Sequence, residues 1–389
     1  MNREDRTAVR KRPIKHLRWW IAGLLFLVSF INYVDRQTLS ALAPFLKDEF
    51  GWSNDDYGMI VNAFQVSYTV MQMVVGRLLD VVGVRAGIAA SVAFYSLIGA
   101  MTAAAVGLKS FSLFRFFLGA GEAANNPGGS KAISEWFPAR ERAWAVAIFN
   151  SGCAMGSFVA PFIAVGVYRA TGHWQPAFIV AAALGGLWLI GWLWLYKRPE
   201  DHPRLSDEER GYILSNRSSA TAASTEAPVK IGWGKVLRYR QTWGLMLGRF
   251  LLDPFWFFVA NWFAVFLRDE KHFSLSGSAL GLCVPMLGAA FGNFFAGGLS
   301  SALVQRGWQP GKARRALLLV FGPAMALISL SLWVDNYVAL LLISACCTFA
   351  YNCCSTMFLT LPTDVFHTRA VGTVMGLAGA SAGVGTFIT

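Results

Sequence analysis

Two full charges stand side by side inside a long apolar stretch near the start of the chain. Asp35 and Arg36 follow a run of mostly apolar residues that begins at Leu17. An Asp or Arg at the centre of a membrane helix costs about 2.5 to 3.5 kcal/mol to insert, and such residues usually face a water-filled path. A guanidinium there can bind a carboxylate through two parallel hydrogen bonds. The pair therefore favours an anion-binding site; the alternative is an interfacial pair whose side chains extend to water.

Helical spacing separates the directions of these two charges. Tyr33 and Arg36 are three residues apart and share a face, whereas Asp35 points about 100° away. We therefore expect a phenol and a guanidinium to line a cavity, and Asp35 to contact a neighbouring helix. With the first span taken as residues 17–39, both charges lie towards one end of it, which lowers the cost of insertion.

A second set of charges lies in the fourth apolar run. Arg115 and Glu122 are seven residues apart, so they lie two turns apart on one face, and Asn125 stands one turn beyond Glu122. Pro127 and nearby glycines indicate a helix that can kink. A carboxyl group shielded from water exchanges protons more readily, because burial disfavours its charged form. We therefore interpret Arg115 and Glu122 as part of a proton relay; the alternative is a structural ion pair within the membrane.

Amide and phenol groups recur on one face of the second apolar run. Gln65, Tyr68 and Gln72 stand at positions i, i+3 and i+7. A sugar acid brings one carboxylate and several hydroxyls, so its site requires a guanidinium and a wall of such hydrogen-bonding groups. Together with Tyr33 and Arg36, these three side chains predict the substrate-binding wall of the first half of the chain.

The second half offers candidates for the opposite wall. We select Asn261, Trp262 and Asn352 as substrate-contacting residues; the alternative for each is an ordinary interhelical hydrogen bond or an aromatic core contact. Arg249 and Asp253 stand at i and i+4 next to a proline, a spacing at which two opposite charges pair with each other.

The composition places the chain in a broad class without any motif. Hydrophobic residues make up 55% and charged residues 14% of the sequence. The apolar residues form runs of roughly 18 to 25, and about 20 suffice to cross a hydrocarbon core of about 30 Å. The sequence therefore predicts an all-α polytopic membrane protein.

The distribution of charge predicts the topology. A net charge of +12 is compatible with nucleic-acid binding, but the basic residues are concentrated in alternate loops between the apolar runs. Loops 77–85 and 138–142 are basic, whereas 47–56 is acidic, and basic loops face the cytoplasm. We therefore expect a membrane-lipid environment, no nucleic-acid partner and a cytoplasmic N-terminus. The residues before Asp35 and Arg36 contain no small-residue cleavage site of the kind that ends a signal peptide. We therefore expect the first span to be retained in the protein.

Six spans, a polar segment and five further spans follow one another. The polar segment is rich in Ser, Thr and Ala and basic at both ends, as a cytoplasmic linker would be. The sequence stops within an apolar run, so we expect the eleventh span to be incomplete and a twelfth helix to be missing. The expected division is a basic N-terminus (1–16), a six-helix N-terminal bundle (17–196), a linker (197–240) and an incomplete C-terminal bundle (241–389).

The cysteines and histidines give no sign of catalysis. All six cysteines lie within apolar runs without paired ligand spacing, so we interpret them as small core residues and expect no metal site. The five histidines fall in or beside loops without partners at useful spacing. We therefore predict that the chain is not an enzyme and binds no cofactor.

A glycine-rich loop after the second span carries Gly76, Asp80, Gly83 and Arg85. Glycine permits a tight turn, and an acid near helix ends can pair with a base on a neighbouring bundle. The loop resembles the signature of the major facilitator superfamily. Two halves of six spans around a central loop are also the arrangement of those transporters, whose substrate site lies between the halves at the midplane.

Longer sequence strings narrow the resemblance. The chain resembles the anion:cation symporter branch of that superfamily, and most closely its hexuronate transporters, over nearly its whole length. The most specific strings are LRW at 17–19, YTVMQ at 68–72, SEWFPARER at 134–142, DEER at 207–210 with Tyr212, and Arg249 with Asp253 and Pro254.

The resemblance implies an activity and roles for individual residues. It implies uptake of a sugar acid across a bacterial inner membrane, with the proton as the coupling ion. We expect the chain to act as a monomer. Arg36 would hold the carboxylate, and Asp35 and Glu122 would exchange protons. The Asp–Arg pair occurs more widely in the branch than in hexuronate carriers, so an aldonate, an aldarate or another small organic anion is an alternative substrate. A sugar-acid sensor that does not transport is the alternative from another class.

Overall fold

A computed structural model describes residues 12–215, 233–261, 263, 266–267, 271 and 279–388. These residues form helices joined by short turns, as the sequence predicts, and nine of the helices within the described ranges are long and apolar enough to cross a bilayer. The helices are α1 (Leu17–Phe50), α2 (Asn54–Val82), α3 (Val84–Thr102), α4 (Leu108–Glu122), α5 (Asn125–Trp136), α6 (Arg142–Thr171), α7 (Gln175–Leu195), α8 (Asp207–Ser215), α9 (Trp233–Val236), α10 (Arg240–Asn261), α11 (Ala279–Gln305), α12 (Pro310–Ala324), α13 (Tyr337–Val365) and α14 (Thr368–Ile388), with 3₁₀ turns at Pro199–Asp201 and Met325–Leu332.

The first span is longer than the sequence predicts. Helix α1 continues to Phe50, where Gly51 ends it in the left-handed conformation at φ 67°. Residues 35 and 36 therefore lie near its middle, and their expected place towards one end is wrong. The reason is that the part after residue 39 buries Leu42 and Leu46 and packs Phe45 and Phe50 partly against the same core, while the polar residues among them lower its hydropathy. Hydropathy alone ends the span too early there.

The fourth span is divided at Glu122. Helix α4 ends at Glu122, and α5 begins at Asn125 after a two-residue turn. Pro127 lies in the first turn of α5, where its missing N–H costs no intrahelical hydrogen bond. The predicted kink is therefore present, and Glu122 stands at the break.

The ends of the helices define two faces of the bundle. We call the linker face the end that carries residues 12–16, 137–141 and 196–215. Helix α8 packs there against the start of α1, because the Glu209 carboxylate accepts the Leu17 N–H at 3.1 Å and the Arg18 guanidinium at 2.7 Å. An acid at a helix N-terminus stabilises it. This half of the linker is thereby bound to the first bundle, and the full division into bundles and linker stays a prediction.

The glycine-rich motif joins the two halves near the linker face. The loop predicted over 77–85 is wrong, because Gly76 and Asp80 lie within α2 and only Gly83 separates α2 from α3. A Cβ atom on Gly76 would collide with the α14 backbone at Gly372 and Gly376, so only glycine allows this approach. The Asp80 carboxylate accepts the Thr373 N–H at 2.7 Å and pairs with Lys131 at 2.5 Å.

The other two residues of the motif serve the first half. Gly83 turns the chain between α2 and α3 at φ 92°, a conformation that favours glycine. Arg85 donates to the Leu193 carbonyl at the end of α7 at 2.6 Å. The motif therefore combines contact between the halves at Gly76 and Asp80 with a local turn at Gly83 and Arg85.

A second contact between the halves consists of one acid and two bases. The Asp364 carboxylate on α13 lies 3.1 Å from the Arg142 guanidinium on α6 and 3.2 Å from that of Arg314 on α12. Both arginine side chains are fully buried. Arg314 also donates to the Ala139 carbonyl at 3.1 Å, which links the second half to the turn before α6. The linker face is therefore closed by charge as well as by close helix packing.

Removal of the charge on Asp364 should destabilise this closed arrangement. Asp364→Asn leaves two buried guanidiniums without the anion between them, and loss of one partner from a buried ion pair typically costs about 3 to 5 kcal/mol. We expect the melting temperature of the purified protein to fall by about 5 °C or more. The control is Asp335→Asn, because Asp335 is 89% exposed in its pair with Lys271 and such surface pairs contribute little. Equal melting temperatures of the two variants would contradict this role of Asp364.

Candidate functional site

A cavity of about 200 Å³ lies between the two halves. Its walls combine charged, amide and aromatic side chains, as expected for a polar ligand with apolar edges. Most of the predicted site residues whose side chains are described line it. Those lining residues from the first half are Tyr33, Arg36, Gln65, Tyr68, Gln72 and Arg115, and the one from the second half is Asn352. Arg249 and Asp253 also line the cavity, although the sequence analysis assigns them only to each other.

Arg36 is held by aromatic rings at the wall of this cavity. Its guanidinium carbon lies 4.9 Å from the ring centroid of Tyr33 and 4.7 Å from those of Phe64 and Tyr68. A guanidinium is attracted to ring faces at such distances. The side chain remains 22% exposed. The rings therefore fix the plane of the guanidinium while leaving part of it accessible from the cavity.

The counter-ion of Arg36 is Glu122. Its Oε2 atom accepts from Arg36 Nη2 at 3.0 Å and from Nε at 3.2 Å, and its side chain is fully buried. Oε1 makes no hydrogen bond of normal geometry with any described residue. The carboxylate is therefore out of contact with water, and its short ion pair is made with Arg36.

Arg115 takes a different position from the one that its spacing suggests. It is buried and donates to the Arg36 backbone carbonyl at 3.4 Å, whereas the short ion pair of Glu122 is made with Arg36. Arg115 still acts electrostatically on both Glu122 and Asp35. It therefore supplies a second positive charge behind the ion pair.

Asp35 points away from Arg36, as helical spacing predicts. It is 3% exposed and faces α3 at Gly99. Its Oδ2 atom has no hydrogen-bond partner within the described part of the chain. Glu122 and Arg115 are the charges that act on it. The two acids thus lie buried behind the cavity wall, to which Arg115 belongs.

The predicted face of α2 lines the cavity and also meets the second half. Gln65 donates to the Thr386 hydroxyl of α14 at 3.3 Å, and the Gln72 side chain packs against Gly379. Tyr68 lies over Arg36. The same side chains therefore line the cavity and contact the second half, so a bound ligand would act on the contact between the halves.

The second half contributes an ion pair and an amide side chain to the wall of the cavity. Arg249 and Asp253 pair at 2.6 Å, as their spacing predicts, and Asn352 lines the cavity while donating to the Thr348 carbonyl at 2.9 Å. Asn261 ends α10, but its side chain, like the whole of Trp262, lies outside the described residues.

Several lining residues are absent from the sequence-based selection. Phe64 supports Arg36 from another helix, and the sequence contains no signal for that contact. Asn150 lines the cavity and donates to the Asn293 side chain at 2.8 Å across the two halves. Trp256 stands three residues after Asp253, so the same helical spacing applied to α10 would have found it.

Comparison with known proteins gives consistent matches over the whole chain. The family model described as Major Facilitator Superfamily matches residues 25–389. The chain is 37% identical over 381 residues to the "Hexuronate transporter" of Escherichia coli (strain K12). The alignment covers 95% of this chain and 85% of that protein. It is 36% identical over 340 residues to the "Galacturonate transporter" of Dickeya chrysanthemi, which covers 87% and 96% respectively.

A more distant relative and a solved structure extend these matches. The chain is 28% identical to the "Probable galactarate/D-glucarate transporter GarP" of Escherichia coli (strain K12), over 96% of this chain and 86% of that protein. The solved structure of the proton:xylose symporter XylE superposes with a TM-score of 0.70 at 16% identity, over 95% of this chain and 87% of that one. At that identity, the likeness supports the fold alone.

Proposed function

Because this chain belongs to the Major Facilitator Superfamily, we propose that it imports a hexuronate together with protons by alternating access of one central site. The chain is a sugar-acid transporter and not an enzyme. We further propose that it works as a monomer with the proton as its coupling ion and without a cofactor.

The ion pair between Arg36 and Glu122 is the observation that carries the proposal. The carboxylate of a sugar acid and the carboxylate of Glu122 compete for the same guanidinium, because that guanidinium is shared between the cavity and Glu122. Protonation of Glu122 removes its negative charge and releases Arg36 for the substrate. Anion and proton therefore bind together, and by linkage each raises the affinity for the other.

The same exchange explains how the loaded carrier crosses its intermediate states. When the substrate carboxylate replaces Glu122 at Arg36 and Glu122 takes up a proton, the net charge of the site does not change. A balanced site costs less to enclose than one with a single extra charge. We propose that this balance allows the loaded carrier to reorient.

The charge of the faces supports an orientation. The multi-pass chain carries basic residues along its linker face, among them Arg85, Arg140 and Lys197, and basic loops remain on the cytoplasmic side. We propose a bacterial inner membrane with the N-terminus and the linker face in the cytoplasm. The hexuronate would then enter from the opposite face.

Uptake into proteoliposomes tests the proposal. With an acidic exterior, labelled galacturonate should accumulate inside above its external concentration, and collapse of the pH gradient by a protonophore should abolish the excess. A sensor would bind the ligand without accumulating it. Accumulation that ignores the pH gradient would contradict proton coupling, and competition by unlabelled aldonates and aldarates would rank the alternative substrates.

Asp35 has a separate expected effect on the pH dependence. It neighbours Arg36 in the chain and lies close to Arg115 and Glu122, so its charge responds to the occupancy of the site without competing for the ligand. In the wild type, substrate affinity should rise as pH falls, because proton and anion bind together. In Asp35→Asn, we expect a flatter curve of affinity against pH. Asp55→Asn, at an exposed acid, is the control; identical curves for wild type and Asp35→Asn would make Asp35 purely structural.

A further inference from the structure

A second ion pair faces the cavity from the wall opposite Arg36. Arg249 Nη2 lies 2.6 Å from Asp253 Oδ2, and the two side chains stay 10% and 14% exposed. The Tyr351 hydroxyl donates to the other oxygen, Asp253 Oδ1, at 3.1 Å. The coupling of Arg36 with Glu122 does not involve this group, so its role requires a separate explanation.

This pair differs from the pair at Arg36 in the placement of its acid. Glu122 is fully buried behind Arg36, whereas Asp253 itself lines the cavity. A ligand group at the second wall therefore meets a carboxylate as well as a guanidinium. Asp253 is held at the cavity through both of its oxygens, by Arg249 and by the Tyr351 hydroxyl. A ligand carboxylate that approached Arg249 would therefore lie beside the charge of Asp253, and like charges in a poorly solvated site repel strongly. Hydroxyl groups suit the place, since a carboxylate accepts their hydrogen bonds.

Aromatic rings beside the pair suit the remaining surface of a sugar. Trp256 and Tyr351 stack with ring centroids 5.5 Å apart and an interplanar angle of 13°, and both line the cavity. Flat aromatic surface packs against the apolar C–H faces of a carbohydrate while neighbouring polar groups bind its hydroxyls. The second wall thus offers a hydroxyl acceptor and a stacking surface next to each other.

The two walls are close enough to contact one small ligand. Arg36 and Asp253 line the same cavity of about 200 Å³. The Tyr33 ring, 4.9 Å from the Arg36 guanidinium carbon, lines that cavity as well. A six-carbon acid held by its carboxylate at Arg36 would therefore present its far end to Asp253.

We propose that Asp253 is a specificity-determining residue that binds the hydroxyls at the far end of the substrate and rejects a carboxylate at that end. The carrier therefore selects acids with one carboxylate over aldarates, which carry one at each end. This proposal rests on the proposed function, because Arg36 must hold the first carboxylate.

Two open-chain ligands of matched stereochemistry test it. Galactonate and galactarate differ only at C6, which is a hydroxymethyl group in the first and a carboxylate in the second. Each competes against labelled galacturonate on the full-length protein, so binding of the label reports the proposed function separately. In the wild type, we expect galactonate to compete at least about tenfold better than galactarate. In Asp253→Asn, which keeps a hydrogen-bonding group and removes the charge, this ratio should shrink about tenfold.

Two further variants make the result specific. Asp335→Asn removes an exposed acid of the second half and should leave the ratio unchanged. Asp253→Ser also removes the charge and keeps a hydrogen-bonding group, so the same shrinkage of the ratio is expected there and can be measured even if Asp253→Asn fails to fold. Equal competition by galactonate and galactarate in the wild type would overturn the proposal while leaving sugar-acid transport intact. Absence of galacturonate binding in the wild type would overturn the proposed function and this inference with it.

Discussion

Substitution of lysine for Arg36 should weaken hexuronate binding by about 10- to 100-fold at saturating proton concentration, which corresponds to about 1.4 to 2.7 kcal/mol. Lysine retains the charge but loses the planar fork that binds a carboxylate through two hydrogen bonds. It also loses the flat contact with Tyr33, Phe64 and Tyr68 that fixes the guanidinium. The expected loss therefore comes from geometry and not from charge.

Equilibrium binding of labelled galacturonate measures this effect. Arg169→Lys, at an exposed arginine near the far end of α6, is the matched control and should bind like the wild type. The gel-filtration profile in detergent establishes that Arg36→Lys is folded. Unchanged affinity in a folded Arg36→Lys would show that Arg36 does not hold the substrate carboxylate.

Substitution of glutamine for Glu122 should abolish accumulation driven by a pH gradient while exchange of internal for external substrate continues. Glutamine cannot gain or lose a proton, so the substrate no longer brings a proton with it through this residue. It also carries no charge to compete for Arg36, whose short ion pair at 3.0 Å would be lost. Substrate affinity at high pH should therefore rise relative to the wild type, and its dependence on pH should weaken.

Two assays on the same proteoliposomes separate these effects. Gradient-driven uptake should fall to the background level, and counterflow of labelled galacturonate should remain. Glu208→Gln, at an exposed acid on α8, is the control and should retain both activities. Retention of gradient-driven accumulation in Glu122→Gln would remove Glu122 from the coupling mechanism, and loss of counterflow as well would indicate a defect in reorientation.

The sequence alone determines the properties that depend on one helix at a time. The all-helical architecture, the common face of Tyr33 and Arg36 and the different direction of Asp35 follow from apolar runs and from a repeat of about 3.6 residues per turn. The pairing of Arg249 with Asp253 follows from the same repeat. These features are predictable because neighbours within a helix have fixed relative positions.

Features that require two helices depend on the tertiary structure. The spacing within the fourth span suggests Arg115 as the partner of Glu122, but the short ion pair is formed with Arg36, 86 residues away in the chain. The contact of Phe64 with Arg36 and the position of Asp364 between two arginines belong to the same class. The sequence contains no distance information for such pairs.

The physical reason is the difference between local and long-range constraints. Backbone hydrogen bonds fix the geometry within a helix, whereas many weak side-chain contacts between distant segments decide which helices meet and in what register. The length of α1 shows the same limit, because burial of Leu42 and Leu46 extends it past the residues that hydropathy assigns to the span. The sequence therefore determines which charges this transporter carries within its membrane helices, and the packing of those helices decides that Glu122 lies against Arg36 and that Asp253 faces the cavity.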